Sequence, residues 1–280
     1  MIWALFSTII TSIGKIFFKK TLVYPISPEL NDFFGHIGAI IGIITIVILG
    51  KFNFVLHSYW DYGLIILCFL FFFFQIRLNQ YVFKNEKISV LVPYENLGKI
   101  LTVLMGVFIL KDDISTISLI FFLFTVLLIG AFGLNGKNLQ FSKTVGIFCI
   151  AQVLSACANF LTGYILIHNS SLDYYTVYIL FSVTFVFIAT LFFKQWPELQ
   201  KLDKTYYVNR IISSFTWIGW LIGILLIKEI GLSTTTLLSF LGVGISLLSS
   251  YYVFGDKPSK KNIILTLGVI TLVSLGYIYK

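Results

Sequence analysis

The sequence predicts an all-α polytopic membrane protein with ten transmembrane helices that form two inverted five-helix repeats. Three observations predict this fold: the composition, a series of apolar segments of membrane-spanning length, and an internal similarity between the two halves. Of the 280 residues, 58% are hydrophobic and 11% are charged, whereas a soluble domain carries about 25% charged residues. A soluble fold of this size could not bury so much apolar side chain, because its surface stays large relative to its volume.

The apolar segments have the length that a bilayer requires. A span needs about 20 mainly apolar residues, because the hydrocarbon core is about 30 Å thick. Charges, prolines and Asn/Asp/Gly clusters divide the chain into ten such segments, which cover residues 2–19, 30–50, 61–83, 88–110, 115–135, 144–167, 172–193, 205–227, 232–254 and 261–279. The connections between them are short, so one integral membrane domain is expected.

The two halves resemble each other. A shift of 144 residues gives ten identities without a gap in the 51-residue segment 84–134, including Gly98 on Gly242 and Asp112 on Asp256. Each repeat then has five helices, in residues 1–136 and 137–280. An odd number of spans makes the second repeat enter from the opposite side of the membrane. Inverted repeats are a recurring construction in secondary transporters, with the substrate site between the halves, although duplication without transport is the alternative.

Two segments carry a resemblance to a known family. They are ISVLVPYENLGKILTVLMGVFILKDDIS and GLSTTTLLSFLGVGISLLSSYYVFGDKPS. In this helix–turn–helix pattern and in helix count, the chain resembles the EamA-type ten-helix members of the drug/metabolite transporter (DMT) superfamily. The family's acidic residue is usually Glu and here is Asp112 or Asp256, and Leu237 aligns with Pro93. The resemblance implies transport or export of small metabolites by alternating access.

Ionisable residues deep in a span are costly and are therefore functional candidates. Glu95 and Lys99 lie one helical turn apart in the fourth span. Either they pair and only stabilise the bundle, or Lys99 meets an anionic substrate and Glu95 carries a coupling proton. Arg77 and its neighbour Asn79 lie in the third span, where Arg77 either binds a carboxylate or phosphate or extends to the interface.

Other ionisable residues lie closer to the ends of the predicted spans. For Lys15, in the first span, extension to the interface is favoured, and Arg210, in the eighth, is expected to mark the interface. The three histidines lie near span ends and far apart in sequence, so no metal site is predicted; they are His36, His57 and His168.

The second half offers neutral polar and aromatic candidates. Gln152, Ser155 and Asn159 form one stripe on the sixth helix, which either bonds a neighbouring helix or faces a cavity. Trp217 and Trp220 lie mid-span on the eighth helix, although Trp prefers the membrane interface. They form either a stacking wall for a ligand or part of the core.

Three residues are candidate hinges. Pro93 removes a backbone hydrogen bond within the fourth helix, and Gly98 and Gly242 could permit bending or close packing. In EamA-like proteins the first, third, fourth, sixth, eighth and ninth helices line the central cavity. All the substrate-binding candidates above fall on these helices.

These residues give the functional expectation. A mixture of Arg77, Glu95 and Lys99 with amides and aromatics favours an amino-acid-like zwitterion or an anion as the small-molecule substrate. The alternative is a flippase for a polyprenyl phosphate or lipid-linked sugar. An intramembrane enzyme is less favoured, because HExxH, GxSxG and Gly-rich phosphate loops are missing from the sequence, and no cofactor is predicted.

The charge distribution bears on orientation and partners. Lys residues in alternate connections count twelve on one side and four on the other, so the positive-inside rule places both termini outside the cytoplasm. The resemblance instead implies both termini inside. The net charge of +8 is assigned to contacts with membrane lipids rather than to nucleic acid. We therefore expect a multi-pass protein of the cell membrane, as a monomer or homodimer.

Overall fold

The described part of the chain is built from helices. The computed structural model describes residues 2–48, 50, 55–134, 142–255 and 260–278, and these residues contain no strand. The helices are α1 (Ile2–Thr21), α2 (Pro28–Gly35), α3 (Ile37–Ile48), α4 (Tyr59–Asn85), α5 (Ile88–Met105), α6 (Thr116–Leu134), α7 (Lys143–His168), α8 (Ser171–Phe192), α9 (Lys204–Ser214), α10 (Thr216–Ile230), α11 (Leu232–Ser239), α12 (Gly242–Phe254) and α13 (Lys260–Ile278). A π-helical turn at Gly106–Leu110 continues α5, and a 3-10 helix at Trp196–Lys201 precedes α9.

Seven helical segments are long and apolar enough to cross a bilayer, by length and composition. They are Ile2–Thr21, Pro28–Ile48, Tyr59–Asn85, Lys143–His168, Ser171–Phe192, Lys204–Ile230 and Leu232–Phe254. This confirms the predicted all-helical class and indicates a multi-pass membrane protein. The three other predicted spans fall on α5, α6 and α13, where the apolar stretches Thr116–Leu128 and Leu267–Gly276 are shorter. The count of ten spans and the inverted repeat stay predictions.

Several helices begin at a side-chain cap. Ser58 Oγ accepts a hydrogen bond from the Asp61 backbone N–H, and Asp61 Oδ2 accepts one from the Ser58 N–H at 3.1 Å, which completes a capping box for α4. Ser142 caps α7 and Asp203 caps α9, each by accepting one hydrogen bond from a backbone N–H of the first turn. These caps satisfy N–H groups that have no partner within the helix.

Three of the candidate spans are interrupted. The second breaks at His36, between α2 and α3, the eighth at Phe215, between α9 and α10, and the ninth at residues 240–241, between α11 and α12. At each break the backbone N–H bonds the carbonyl three residues earlier, as from His36 to Phe33 at 3.1 Å. A break frees backbone groups that need other partners inside a membrane.

The two halves of the chain interleave. α1, from the first half, packs on α9, α10 and α12, and α7, from the second half, packs on α4 and α5. α2 packs on α8, and α6 packs on α13. The largest apolar cluster contains residues of α3, α4, α7, α8 and α10, with Cys68, Tyr174 and Tyr178 among its buried members. The cavity described below therefore has walls from both halves.

The two candidate hinge glycines lie at close helix contacts. A Cβ atom at Gly98 would lie 2.8 Å from the backbone oxygen of Gln152, and one at Gly242 would lie 2.8 Å from the Thr8 methyl group. Close approach is therefore the observed property of both glycines, and a hinge role stays a prediction. α5 is helical through residue 93, and the side chain of Pro93 lies outside the described residues.

Substitution of Gly98 tests this close approach. Gly98→Ala places a methyl group against backbone that cannot rotate away, and we expect a loss of about 1–3 kcal/mol of stability. The melting temperature of the purified protein in detergent, followed by tryptophan fluorescence, measures the loss. The matched control is Gly63→Ala, because a Cβ at Gly63 meets nothing within 4 Å and alanine is the better helix former. Equal melting temperatures for the two variants would contradict this packing.

Candidate functional site

A central cavity of about 530 Å³ lies between the halves. This volume is within the range of small-molecule sites, about 300–1,000 Å³. Its described lining comes from α1, α2, α4, α5 and α7–α12 and from His36, with none from α6 or α13. Eight of the nine predicted substrate-binding residues lie on its wall, namely Asn79, Glu95, Lys99, Gln152, Ser155, Asn159, Trp217 and Trp220. Gly98 and Gly242 also line it.

Two lysines enclose one carboxylate on the cavity wall. Glu95 Oε2 forms an ion pair with Lys15 Nζ from α1, and Glu95 Oε1 lies 3.7 Å from Lys99 Nζ. Lys99 Nζ also donates a hydrogen bond to the Ser239 carbonyl at 3.0 Å, beside the break between α11 and α12. The expected extension of Lys15 to the interface is therefore wrong, because a carboxylate on the adjacent helix pairs with it within the bundle. This cluster carries a formal charge of +1.

Arg77 lies away from the lining of the cavity. It forms ion pairs with Glu29 Oε1 at 3.3 Å and Asp32 Oδ2 at 3.1 Å, and its Nη1 donates to Gln80 Oε1 at 3.1 Å. Both acids lie on the short helix α2, where the sequence analysis did not expect partners. The geometry therefore makes Arg77 a residue that links α4 to α2, and places it outside the set of residues that face the cavity.

Arg210 is buried and joins the halves. Its side chain is 8% exposed, its Nε donates to the Asn31 carbonyl at 2.7 Å, and its Nη1 donates to Ser213 Oγ at 2.9 Å. Its Nη2 lies 3.9 Å from Asp32 Oδ1. The expectation that Arg210 marks the interface is therefore wrong, because the break that creates α2 brings a carbonyl and a carboxylate within its reach. Nearby, Tyr206 donates to Asn31 Oδ1 at 3.0 Å, which adds a second bond between α9 and α2.

Aromatic rings form another part of the wall. The His36 and Trp217 rings lie 4.8 Å apart between centroids at an interplanar angle of 32°, and Tyr178 and Trp220 also lie 4.8 Å apart. Phe72 meets Trp220 edge to face at 6.1 Å. Both tryptophans line the cavity and also pack on the largest apolar cluster. The rings thus belong to the core and also face the cavity, and their role as a stacking wall for a ligand stays a prediction.

Neutral polar groups complete the lining. Gln152, Ser155 and Asn159 face the cavity from α7, and Asn79 faces it from α4. Asn79 Oδ1 is buried without a hydrogen-bond partner within the described residues. A buried amide oxygen without a partner is costly, so a ligand hydroxyl or N–H that reached it would be stabilised. These amides and hydroxyls suit hydrogen bonding to a polar solute.

Many wall residues were missed by sequence reasoning, among them one acid and two rings that contact the tryptophans. Asp32 and His36 lie at the break in the second span, and Tyr178 lies on α8. His36 bonds the Asp32 carbonyl at 2.8 Å and Ser182 Oγ at 2.7 Å. An acidic residue inside an apolar segment is a usable signal and could have identified Asp32. Tyr178 gives no such signal, because a tyrosine in an apolar helix packs in most cores.

The described residues contain no group of three or more His, Cys, Asp or Glu that could hold a metal ion. Cys68 is buried, with its Sγ 3.4 Å from the Ala158 carbonyl oxygen and 3.4 Å from Tyr174 Oη. Cys68, Cys149 and Cys157 are free thiols. The described wall offers charged groups, hydrogen-bonding groups and aromatic rings to a molecule in the cavity.

Comparison with known proteins identifies the fold and leaves the family open. No family model matches the sequence, and no curated protein matches it. Twenty-seven chains of solved structures match, one of which is a protein crystal structure that aligns with a TM-score of 0.65. That alignment covers 99% of this chain and 96% of the other at 14% identity. The likeness extends over the whole chain and concerns the fold alone.

The Arg210 contacts predict a measurable contribution to stability. Arg210→Met removes a charge-assisted hydrogen bond and an ion pair between α9 and α2. We expect a loss of about 1.5–3 kcal/mol, measured as a lower melting temperature in detergent. Lys204→Met is the matched control, because Lys204 is exposed at the start of α9. Equal stability of Arg210→Met and Lys204→Met would contradict the described network.

Proposed function

We propose that this protein is a secondary transporter of small polar or amphipathic organic metabolites, of the EamA type within the drug/metabolite transporter superfamily. The observation that carries the proposal is the central cavity, where the Lys15–Glu95–Lys99 cluster and an aromatic wall line one space. Such a cavity combines a fixed charge with flat apolar contact, which is the combination that an amphipathic solute needs. Buried charge inside a membrane bundle is costly and typical of a transport pathway.

The helix contacts support two inverted repeats. When the ten predicted segments are numbered in order, α1 is segment 1, α4 is segment 3, α7 is segment 6 and α10 belongs to segment 8. Exchanging each segment with the one five positions away turns the contact of α4 with α7 into the contact of α10 with α1. Both contacts are present. The packing of α6 on α13 and of α2 on α8 maps onto itself under the same exchange. A two-fold axis in the membrane plane would produce this pairing.

One pair of residue contacts supports the same relation. The 144-residue shift that places Gly98 on Gly242 also places Thr8 on Gln152. Gly98 packs on Gln152, and Gly242 packs on Thr8. The two contacts are therefore equivalent under the proposed symmetry. Apolar sequences match one another easily. A chance match of two segments, however, would not be expected to make the same shift relate both residues of one contact to both residues of another.

The interrupted helices suggest how the halves could move. The breaks at His36, at Phe215 and at residues 240–241 all lie beside lining residues of the cavity. Discontinuous helices at a central site are typical of secondary transporters, in which one repeat rocks against the other. The bonds of Arg210 and Tyr206 to Asn31 would close one end of the cavity and would separate when that end opens.

The function is tested by transport. A thermal-shift screen of a metabolite library on the purified protein identifies a ligand, because binding to the folded state raises the melting temperature. Counterflow of that compound in proteoliposomes then tests for transport. Trp217→Ala should raise the half-saturating concentration roughly five- to tenfold, because a stacking contact of about 1 kcal/mol or more is lost.

Trp60→Ala is the matched control for this measurement, because Trp60 is 83% exposed at the start of α4, and it should transport like the unaltered protein. Absence of counterflow with every ligand from the screen would overturn the transporter proposal. Movement of a polyprenyl phosphate between leaflets, without uptake of soluble compounds, would favour the flippase instead.

A further inference from the structure

The charges around the cavity do not cancel. Five ionisable residues with formal charge line it in the described part of the chain: Lys15, Lys99 and Arg210 are positive, and Glu95 and Asp32 are negative. Arg77 and Glu29 lie behind Asp32 and contribute one charge of each sign. Four positive charges against three negative ones leave an excess of one positive charge.

Every carboxylate near the cavity already has a cationic partner. Glu95 has both Lys15 and Lys99. Asp32 has Arg77 and Arg210, and its Oδ1 also accepts a hydrogen bond from Gln80 Nε2 at 2.9 Å.

The third acid, Glu29, has Arg77 at 3.3 Å and accepts a hydrogen bond from Gln195 Nε2 at 2.8 Å. A substrate ammonium group that approached one of these three acids would therefore have to share it with a bound cation or displace that cation. Breaking a buried pair costs several kcal/mol because it leaves a buried charge uncompensated.

The excess positive charge lies in the two lysines. Each ammonium group has three N–H donors, and a single carboxylate compensates only one of the two charges. Side-chain exposure is 22% for Lys15 and 16% for Lys99, so water compensates the remaining charge only in part. An anionic group that entered the cavity would supply the missing negative charge without breaking an existing pair.

We infer that the substrate is an organic monoanion with a flat apolar body. Its acid group would bind Lys15 and Lys99 beside Glu95, and its body would lie against Trp217 and Trp220. This inference rests on the proposed transport function and narrows it, since it selects the anion over the zwitterion. Glu95 then sets the charge of the accepted substrate, because it cancels one of the two lysine charges.

Four probes of one skeleton test the inference. They are 3-phenylpropanoate, phenylalanine, benzylmalonate and phenethylamine, which are a monoanion, a zwitterion, a dianion and a cation. Affinity for the purified full-length protein in detergent is measured by thermal shift and by tryptophan fluorescence. We expect 3-phenylpropanoate to bind at least about tenfold more tightly than phenylalanine. Both carry the carboxylate that meets the lysines, but the ammonium group of phenylalanine would be buried without an unpaired acid, and a buried charge without a partner is destabilising by more than the roughly 1.4 kcal/mol that a tenfold change requires. Phenethylamine should bind most weakly.

Charge-changing variants should alter the order in a defined way. Glu95→Gln raises the excess to two charges, so benzylmalonate should become the tightest ligand. Lys99→Gln removes the excess and should weaken binding of 3-phenylpropanoate roughly ten- to one-hundredfold. Lys15→Gln should do the same, which covers the case in which one lysine variant fails to fold. Lys20→Gln is the matched control, since Lys20 lies in the last turn of α1 and does not line the cavity, and it should bind like the unaltered protein.

The outcomes separate this inference from the transport proposal. Phenylalanine binding as tightly as 3-phenylpropanoate, an unchanged order of ligands in Glu95→Gln, or binding of none of the four probes would overturn the inference. Counterflow of a ligand from the metabolite screen would still support transport in each of these cases. Absence of counterflow together with the expected charge order would instead overturn transport and leave the monoanion site standing.

Discussion

Within a bilayer, every buried charge and every free backbone group must find its partner inside the protein. The contacts of Glu95 meet this requirement on the cavity wall. Its carboxylate is shared between Lys15 of α1 and Lys99 of α5, and Lys99 in turn satisfies the Ser239 carbonyl, which the break after α11 leaves exposed. The carboxylate therefore joins α1 to α5, and the bond from Lys99 to Ser239 extends this connection to α11 in the second half of the chain.

The same requirement explains the second charged network. The short helix α2 brings Glu29 and Asp32 to Arg77, and its Asn31 carbonyl to Arg210. These charges could not lie where they do without one another, because each alone would be buried and unpaired. The network joins α2, α4 and α9 at one end of the cavity. It thereby fixes the position of His36 and, through the ring contact, that of Trp217.

The interrupted helices supply groups that line the cavity, and the backbone groups that they free need partners for the fold to be stable. An uninterrupted helix satisfies its own backbone and offers a cavity only side chains. At residues 240–241 the interruption also offers a carbonyl, which Lys99 takes as a partner. At the second interruption, the His36 imidazole lies in the aromatic wall, beside the Trp217 ring. The breaks thus add a backbone carbonyl and an imidazole to the polar side chains that the helices carry.

Local features of the sequence determined the class of the protein and much of the wall. Apolar segment length is a property of contiguous residues, so the helices were predictable, and so were Glu95, Lys99, Trp217 and the stripe from Gln152 to Asn159, each of which stands out against an apolar background. The ion-pair partners of three cations were decided only by the tertiary structure; these cations are Arg77, Lys15 and Arg210. A long cationic side chain reaches either the interface or an acid on a neighbouring helix, and the choice depends on which helix packs beside it. Charges that lie far apart in sequence, such as Asp32 and Arg210, become partners only through that packing.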